Sequence, residues 1–147
     1  MRFPKILGGS LAMLLAGIIL GVASDRLRTT LALGYPKPDL IAPASAHQLL
    51  NRGALFLDVR PSEDYLQQHV PGALSLPWNV RSQVEPVLLP YLRKASLVIV
   101  YCEDSGCEAA GKISDELLSA DIKRVQVLGQ GLKGWREAGF PLSARMP

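Results

Sequence analysis

Cysteine and histidine are scarce in this chain of 147 residues, with only two of each. Cys102, Cys107, His47 and His69 do not make a four-ligand zinc site, and two cysteines five apart match no recognised metal or redox spacing. An excess of charge is also missing. The formal net charge is +3, but Arg2, Lys5, Arg26 and Arg28 against Asp25 account for all of it within residues 1–28, leaving twelve basic and twelve acidic residues in 29–147. A body without net charge offers no nucleic-acid footprint, so no nucleic-acid partner is expected. No internal repeat or low-complexity tract competes with a compact fold.

What is present begins with an apolar run, Ile6–Ala23, of 18 uncharged residues between Arg2 and Lys5 on one side and Asp25, Arg26 and Arg28 on the other. As a helix it is about 27 Å long, enough for a bilayer core, and it exceeds the apolar stretch of an ordinary signal peptide. We therefore expect residues 1–28 to form one N-terminal transmembrane signal anchor, making the membrane a partner through that helix. Two basic side chains flank each end, and the terminal amine tips the orientation toward an inside N-terminus. The following domain is then expected on the extracytoplasmic, periplasmic side. The alternatives are the cytoplasmic face, or secretion after cleavage near Ala23, where Gly21-Val22-Ala23 resembles a small-x-small site. Residues 29–39, with Pro36 and Pro38, read as a linker, and residues 40–144 as a single domain with one core.

Within that domain helical and strand signals alternate, the pattern of a parallel sheet with helices on both faces. Leu40-Ile41, Leu55–Leu57, Ala73–Leu76, Leu97–Tyr101 and Arg124–Leu128 read as strands. Helices are expected over Ala44–Asn51, with Ser45 as a cap and Gly53 as a stop, and over Pro61–Gln68, Val84–Arg93, Glu108–Ala120 and Leu132–Ala138. In Val84–Arg93 a break or late start is expected at Pro86.

The segment Leu97-Val98-Ile99-Val100-Tyr101-Cys102 carries the strongest chemical signal. A β-branched run of this kind reads as a buried parallel strand, and ligands in open α/β sheets sit beyond the carboxyl ends of strands. Glu103, Asp104, Ser105, Gly106 and Cys107 then form a short loop whose backbone amides, backed by a helix N-terminus, favour negative charge. A Cys102 thiolate there has a lowered pKa and is the nucleophilic form. The alternative is a buried cysteine acting as a small hydrophobe.

Leu57-Asp58-Val59-Arg60 with Glu63-Asp64-Tyr65, then His69-Val70-Pro71-Gly72-Ala73, then Val98–Cys102, and finally Gly131-Leu132-Lys133-Gly134-Trp135 through Pro141 resemble, in order, the signatures of the rhodanese-like domain. The resemblance spans residues 40–142. It implies a single α/β domain with a central five-stranded parallel sheet flanked by helices. It also implies sulfurtransferase activity through a persulfide on Cys102, cradled by the loop amides and needing no metal or organic cofactor. The implied partners are a small sulfane-sulfur donor or a protein persulfide or thiol, with cyanide or a thiol as acceptor.

The loop departs from the family pattern. Many members carry arginine five residues after the cysteine, where this chain has Cys107, which disfavours the phosphatase branch of the fold. Glu103, Asp104 and Glu108 bring negative charge and no basic residue lies between Cys102 and Gly111, so thiosulfate is a weaker donor candidate than a neutral or protein-borne persulfide. Cys107 either resolves Cys102 by closing a disulfide or packs under the helix start without reacting. Asp58 and Arg60 read as supports of the fold near the site, His69 as a hydrogen-bonded structural residue, and Trp135 and Phe140 as packing. Trp78 is either the rim of a substrate pocket or buried. Three functions stay open: a persulfide sulfurtransferase using Cys102, a two-cysteine thiol redox or sulfur-relay protein using Cys102 and Cys107, and a non-catalytic binding module.

Overall fold

The computed structural model describes residues 38–144. The expected anchor, its cleavage site near Ala23 and most of the linker lie outside the described residues, and among those described no helix is long and apolar enough to cross a membrane. Five strands form one sheet: β1 (Asp39–Ile41), β2 (Leu55–Asp58), β3 (Leu74–Ser75), β4 (Val98–Tyr101) and β5 (Val125–Leu128). Their order across the sheet is β1-β5-β4-β2-β3, and every pairing is parallel. The register aligns the strand starts, with Leu55 opposite Val98 and Val98 opposite Val125. All strands therefore begin at one end of the domain and finish at the other.

Alternation along the central strands divides the core in two. Leu57, Val59, Val98, Val100 and Cys102 pack on one face, under Ala110, Ile113 and Leu117 of helix α4 (Glu108–Ser119) and Leu92 of α3 (Arg81–Lys94). Phe56, Ile99 and Tyr101 pack on the other, with Ala46 of α1 (Pro43–Leu50) and Leu132 and Trp135 of α5 (Gly131–Glu137). In α4 the buried residues Ala110, Ile113, Ser114 and Leu117 follow the i, i+3, i+4, i+7 spacing of an amphipathic helix. Tyr65 of the short α2 (Ser62–Gln67) and Phe140 close the second layer. Trp135 is fully buried, packs edge-on against Phe56 and Phe140, and donates its indole N–H to Pro141 O at 2.9 Å. His69 and Ser143 exchange backbone hydrogen bonds of 2.8 Å, which ties the end of the domain to the turn before β3.

Two local expectations are corrected. Ser45 does not cap α1: the helix starts at Pro43 after Ala42 with no side-chain cap bond, because proline supplies a preset φ and has no N–H to satisfy. Helix α3 neither starts late nor breaks at Pro86, but runs unbroken from Arg81 to Lys94 after a 3-10 turn at Trp78–Val80. It tolerates Pro86 and Pro90 because Ser82, Pro86 and Pro90 all lie on its exposed side, where the carbonyls of Ser82 and Pro86 that lose an intrahelical donor face water. An alanine at position 90 restores the donor without touching the core. We expect Pro90→Ala to raise the unfolding free energy by about 1–3 kcal/mol in a urea titration; an unchanged or lower midpoint contradicts this account.

Candidate active site at the end of strand β4

Strand β4 is buried along its whole length and delivers Cys102 to the carboxyl end of the sheet, on the same face as Val98 and Val100. The turn from Cys102 to Cys107 then leads into α4, for which Cys107 is the N-cap residue. The two sulfurs are joined in a disulfide, with Cα atoms 6.1 Å apart, and neither cysteine is free. In this state Cys102 is therefore neither a thiolate nor a lone buried hydrophobe, and Cys107 does not merely pack under the helix. Cys102 is 8% exposed, and Cys107 is half-buried against the core face beneath α4.

The loop amides do not all point into an empty cradle. Asp104 folds the turn onto itself: its carboxylate accepts the Gly106 N–H at 2.9 Å, and its carbonyl accepts the Cys107 N–H at 3.4 Å. Such an Asx turn is the usual way in which aspartate fixes a tight bend. From the other side, the first turn of α5 donates Leu132 N–H to Cys102 O at 2.9 Å and Lys133 N–H to Glu103 O at 2.8 Å. Amides that have no partner within their own helix are thus satisfied by the cysteine loop, and they hold its backbone.

Electrostatics around the loop also differ from the expectation of an uncompensated acidic mouth. Glu103 is bound by two arginines remote in sequence: one carboxylate oxygen accepts from Arg60 Nη1 at 3.1 Å and the other from Arg136 Nη2. Arg60 is buried and is itself held by Asp58, whose carboxylate accepts Nε at 3.1 and 3.2 Å, Nη2 at 2.8 Å and the Arg60 backbone N–H at 3.0 Å. Its Nη2 also donates to the carbonyls of Asp64 and Gln68. Asp58 and Arg60 thus pair with each other and reach the cysteine loop through Glu103. Glu108 pairs with Lys112 at 2.8 Å, which lowers its carboxyl pKa. Burial, and next the charge of Asp58, push the Tyr101 phenol well above its ordinary value, so it stays protonated, bonded to Asp58 and accepting the Val70 N–H at 3.1 Å.

Trp78 is half-buried on the same side of the sheet as Cys102, with the Arg81 guanidinium 3.8 Å from its ring centroid and the Lys112 ammonium 5.9 Å away. His69 Nδ1 lies 2.7 Å from Tyr65 O and its ring stacks on that tyrosine. Arg136, Arg81 and Lys112 were not singled out from the sequence. Arg136 lies within the Gly131–Pro141 signature, and its i+5 position from Gly131 on the helix that docks on the loop was the available signal. A cleft of about 310 Å³ opens on the α5 side of the loop, lined by Asp104, Ser105, Gly106, Gln130, Lys133 and Glu137. A larger one, of about 430 Å³, lies at the opposite end of the strands. Among the described residues no group of three or more His, Cys, Asp and Glu side chains is placed to hold a metal ion.

A parallel sheet of this order, with a cysteine turn after its central strand, defines a single α/β domain whose candidate site lies at the carboxyl ends of the strands. The profile of the rhodanese-like domain matches residues 42–138, and the chain belongs to that family. It is 32% identical over 102 residues to an uncharacterized protein of Synechocystis sp., covering 69% of this chain and 54% of that protein, so it spans about half of that relative. It is 29% identical over 115 residues to the chloroplastic thiosulfate sulfurtransferase 16 of Arabidopsis thaliana, covering 73% of this chain and 94% of the relative. Among solved structures, a thiosulfate sulfurtransferase from Pseudomonas aeruginosa superposes with a TM-score of 0.58 at 28% identity, covering 74% of this chain and 21% of the other.

One glycine is decisive for the site. Gly131 has φ +59, and a Cβ there would stand 2.6 Å from Glu103 O and 2.7 Å from Asp104 N, both backbone atoms. We expect Gly131→Ala to cost about 2–4 kcal/mol in denaturant unfolding, through a left-handed side-chain penalty and displacement of the cysteine loop. A loss below about 1 kcal/mol would show that the α5–loop contact is not tight.

Proposed function

We propose that the protein is a sulfurtransferase in which Cys102 accepts sulfane sulfur and Cys107 resolves it. The observation that carries this reading is the Cys102–Cys107 disulfide at the carboxyl end of the central strand. Starting from the dithiol, the Cys102 thiolate attacks the outer sulfur of a persulfide donor; the donor S–S bond breaks and the donor leaves as a thiolate. Cys102 then carries the outer sulfur as a persulfide. The Cys107 thiolate attacks the Cys102 sulfur, the bond to the outer sulfur breaks, and hydrosulfide leaves. What remains is the disulfide. Two thiols are oxidised and one sulfane sulfur is reduced to sulfide. An external thiol pair then reduces the disulfide and is itself oxidised. A strong acceptor such as cyanide takes the outer sulfur directly and bypasses Cys107.

The surroundings suit these roles. Cys107 stands at the N-cap of α4, where the helix end favours a thiolate. Arg60 and Arg136 neutralise Glu103, which removes part of the repulsion that an anionic sulfur would meet. The half-buried Trp78 with Arg81 over its ring is a candidate wall for the acceptor. Support for an extracytoplasmic location of an anchored domain comes from the disulfide, which persists in oxidising compartments.

The test is a single turnover of the reduced full-length protein with a low-molecular-weight persulfide and no acceptor, read by sulfide release and peptide mass. The wild type should release one sulfide and lose two hydrogens on the 102–107 peptide. Cys107→Ser should keep one added sulfur on Cys102, release sulfide at least ~100-fold more slowly, and still transfer sulfur to cyanide. Cys102→Ser should do neither. Equal sulfide release by Cys107→Ser contradicts the resolving role, and an unchanged wild-type mass favours a binding module without chemistry.

A further inference from the structure

The end of the domain opposite the cysteines is basic. Because all strands are parallel and β2, β4 and β5 are in register at their starts, the segments that precede these three converge at one end. They carry Arg52 before β2, Arg93 and Lys94 at the end of α3 before β4, and Lys123 and Arg124 before β5. All five side chains are exposed. The acidic residues at this end are Asp39 and Asp121, and of these five basic side chains only Lys123 has an ion-pair partner among the described residues, Asp121 at 4.0 Å. Arg93, Lys123 and Arg124 line the cleft of about 430 Å³ between the end of α3 and the start of β5. One turn before the end of α3, Tyr91 is 63% exposed, an amphipathic ring beside Arg93 and Lys94.

The chain enters the domain at this same end, since β1 starts with the other strands at Asp39. In the sequence, 15 residues separate the apolar run 6–23 from Asp39, a length that spans at most about 50 Å. We propose that this basic end is a docking face for anionic phospholipid headgroups. Lysine and arginine side chains are attracted to an anionic leaflet within a Debye length, and tyrosine is favoured at the membrane–water interface. Of the two anionic macromolecular surfaces that fit a basic end, an acidic protein and a lipid leaflet, the exposed Tyr91 and the entry of the chain at this face favour the lipid. Docked this way, β4 runs away from the surface, and the Cys102–Cys107 turn faces the aqueous phase. Its sulfur acceptors are then water-borne rather than embedded in lipid.

The test is hydrogen exchange of the full chain with phosphatidylcholine vesicles, with and without about 30% phosphatidylglycerol. Amides of residues 92–96 and 121–124 should exchange at least about fivefold more slowly on the anionic vesicles, and salt at about 0.5 M should remove the difference. A Lys94→Gln, Lys123→Gln, Arg124→Gln triple variant, altered only at exposed positions, should lose the protection while its sulfur chemistry is unchanged. Equal exchange on both vesicles, protection that survives in the triple variant, or no association with either vesicle overturns the proposal. Protection given only by an acidic soluble polypeptide would assign the face to a protein instead.

Discussion

The buried guanidinium of Arg60 is the contact through which the carboxyl end of this sheet is assembled. Its Nε and Nη2 are held by Asp58 at the end of β2, its Nη2 also serves two carbonyls in and just after α2, and its Nη1 reaches Glu103 on the cysteine loop. A guanidinium can do this because its donors are fixed in one plane; an ammonium presents a point charge and cannot reach all of these partners at once. Asp58 is fully buried and Arg60 nearly so, and removing Arg60 strands the Asp58 charge at a cost of about 3–5 kcal/mol. Its value to the fold lies less in net stability than in specifying which loop sits where.

That constraint passes on to the chemistry. Glu103 is tethered on one oxygen by Arg60 and on the other by Arg136 of α5, so the residue next to the cysteine is pinned between β2 and α5. The amides of Leu132 and Lys133 pin the same stretch of backbone, and Gly131 allows the approach. Side chains alternate across β4, which sends Tyr101 toward Asp58 on one face and Cys102 toward α4 on the other. The polar lattice and the disulfide therefore occupy opposite faces of one strand, and a rigid backbone is shared between them.

How much of this was legible in the sequence follows from distance along the chain. The run Leu97–Tyr101 and its abrupt end at Cys102 announce a buried parallel strand, because burial on both faces demands an unbroken apolar series. The alternation of elements, the turn at Pro71-Gly72 and the start of α4 are local signals too. The continuity of α3 was not legible, since whether proline breaks a helix depends on which side faces water, and that is decided by tertiary packing. Nor was the neutralisation of Glu103: its partners lie 43 and 33 residues away, and a count of charges within the loop points to the opposite sign. The pairing of Cys102 with Cys107 stayed open for a related reason, because a spacing of five fits either a bond or two separate burials until the turn geometry is known.

That geometry explains why the bond and the turn are compatible. Asp104 closes the bend by two hydrogen bonds that involve neither sulfur, and α4 fixes Cys107 at its N-cap. The loop is thereby ordered by groups that remain when the cysteines are reduced. The conformational entropy of bringing Cys107 near Cys102 is offset by the turn as well as by the disulfide. The resolving role proposed for Cys107 requires such an arrangement, because attack on a neighbouring persulfide is fast only when the two sulfurs are held close before any bond forms. Asp104, one of the three acidic residues that the sequence sets against an anionic sulfur donor, is then the one whose hydrogen bonds close the bend between the two cysteines.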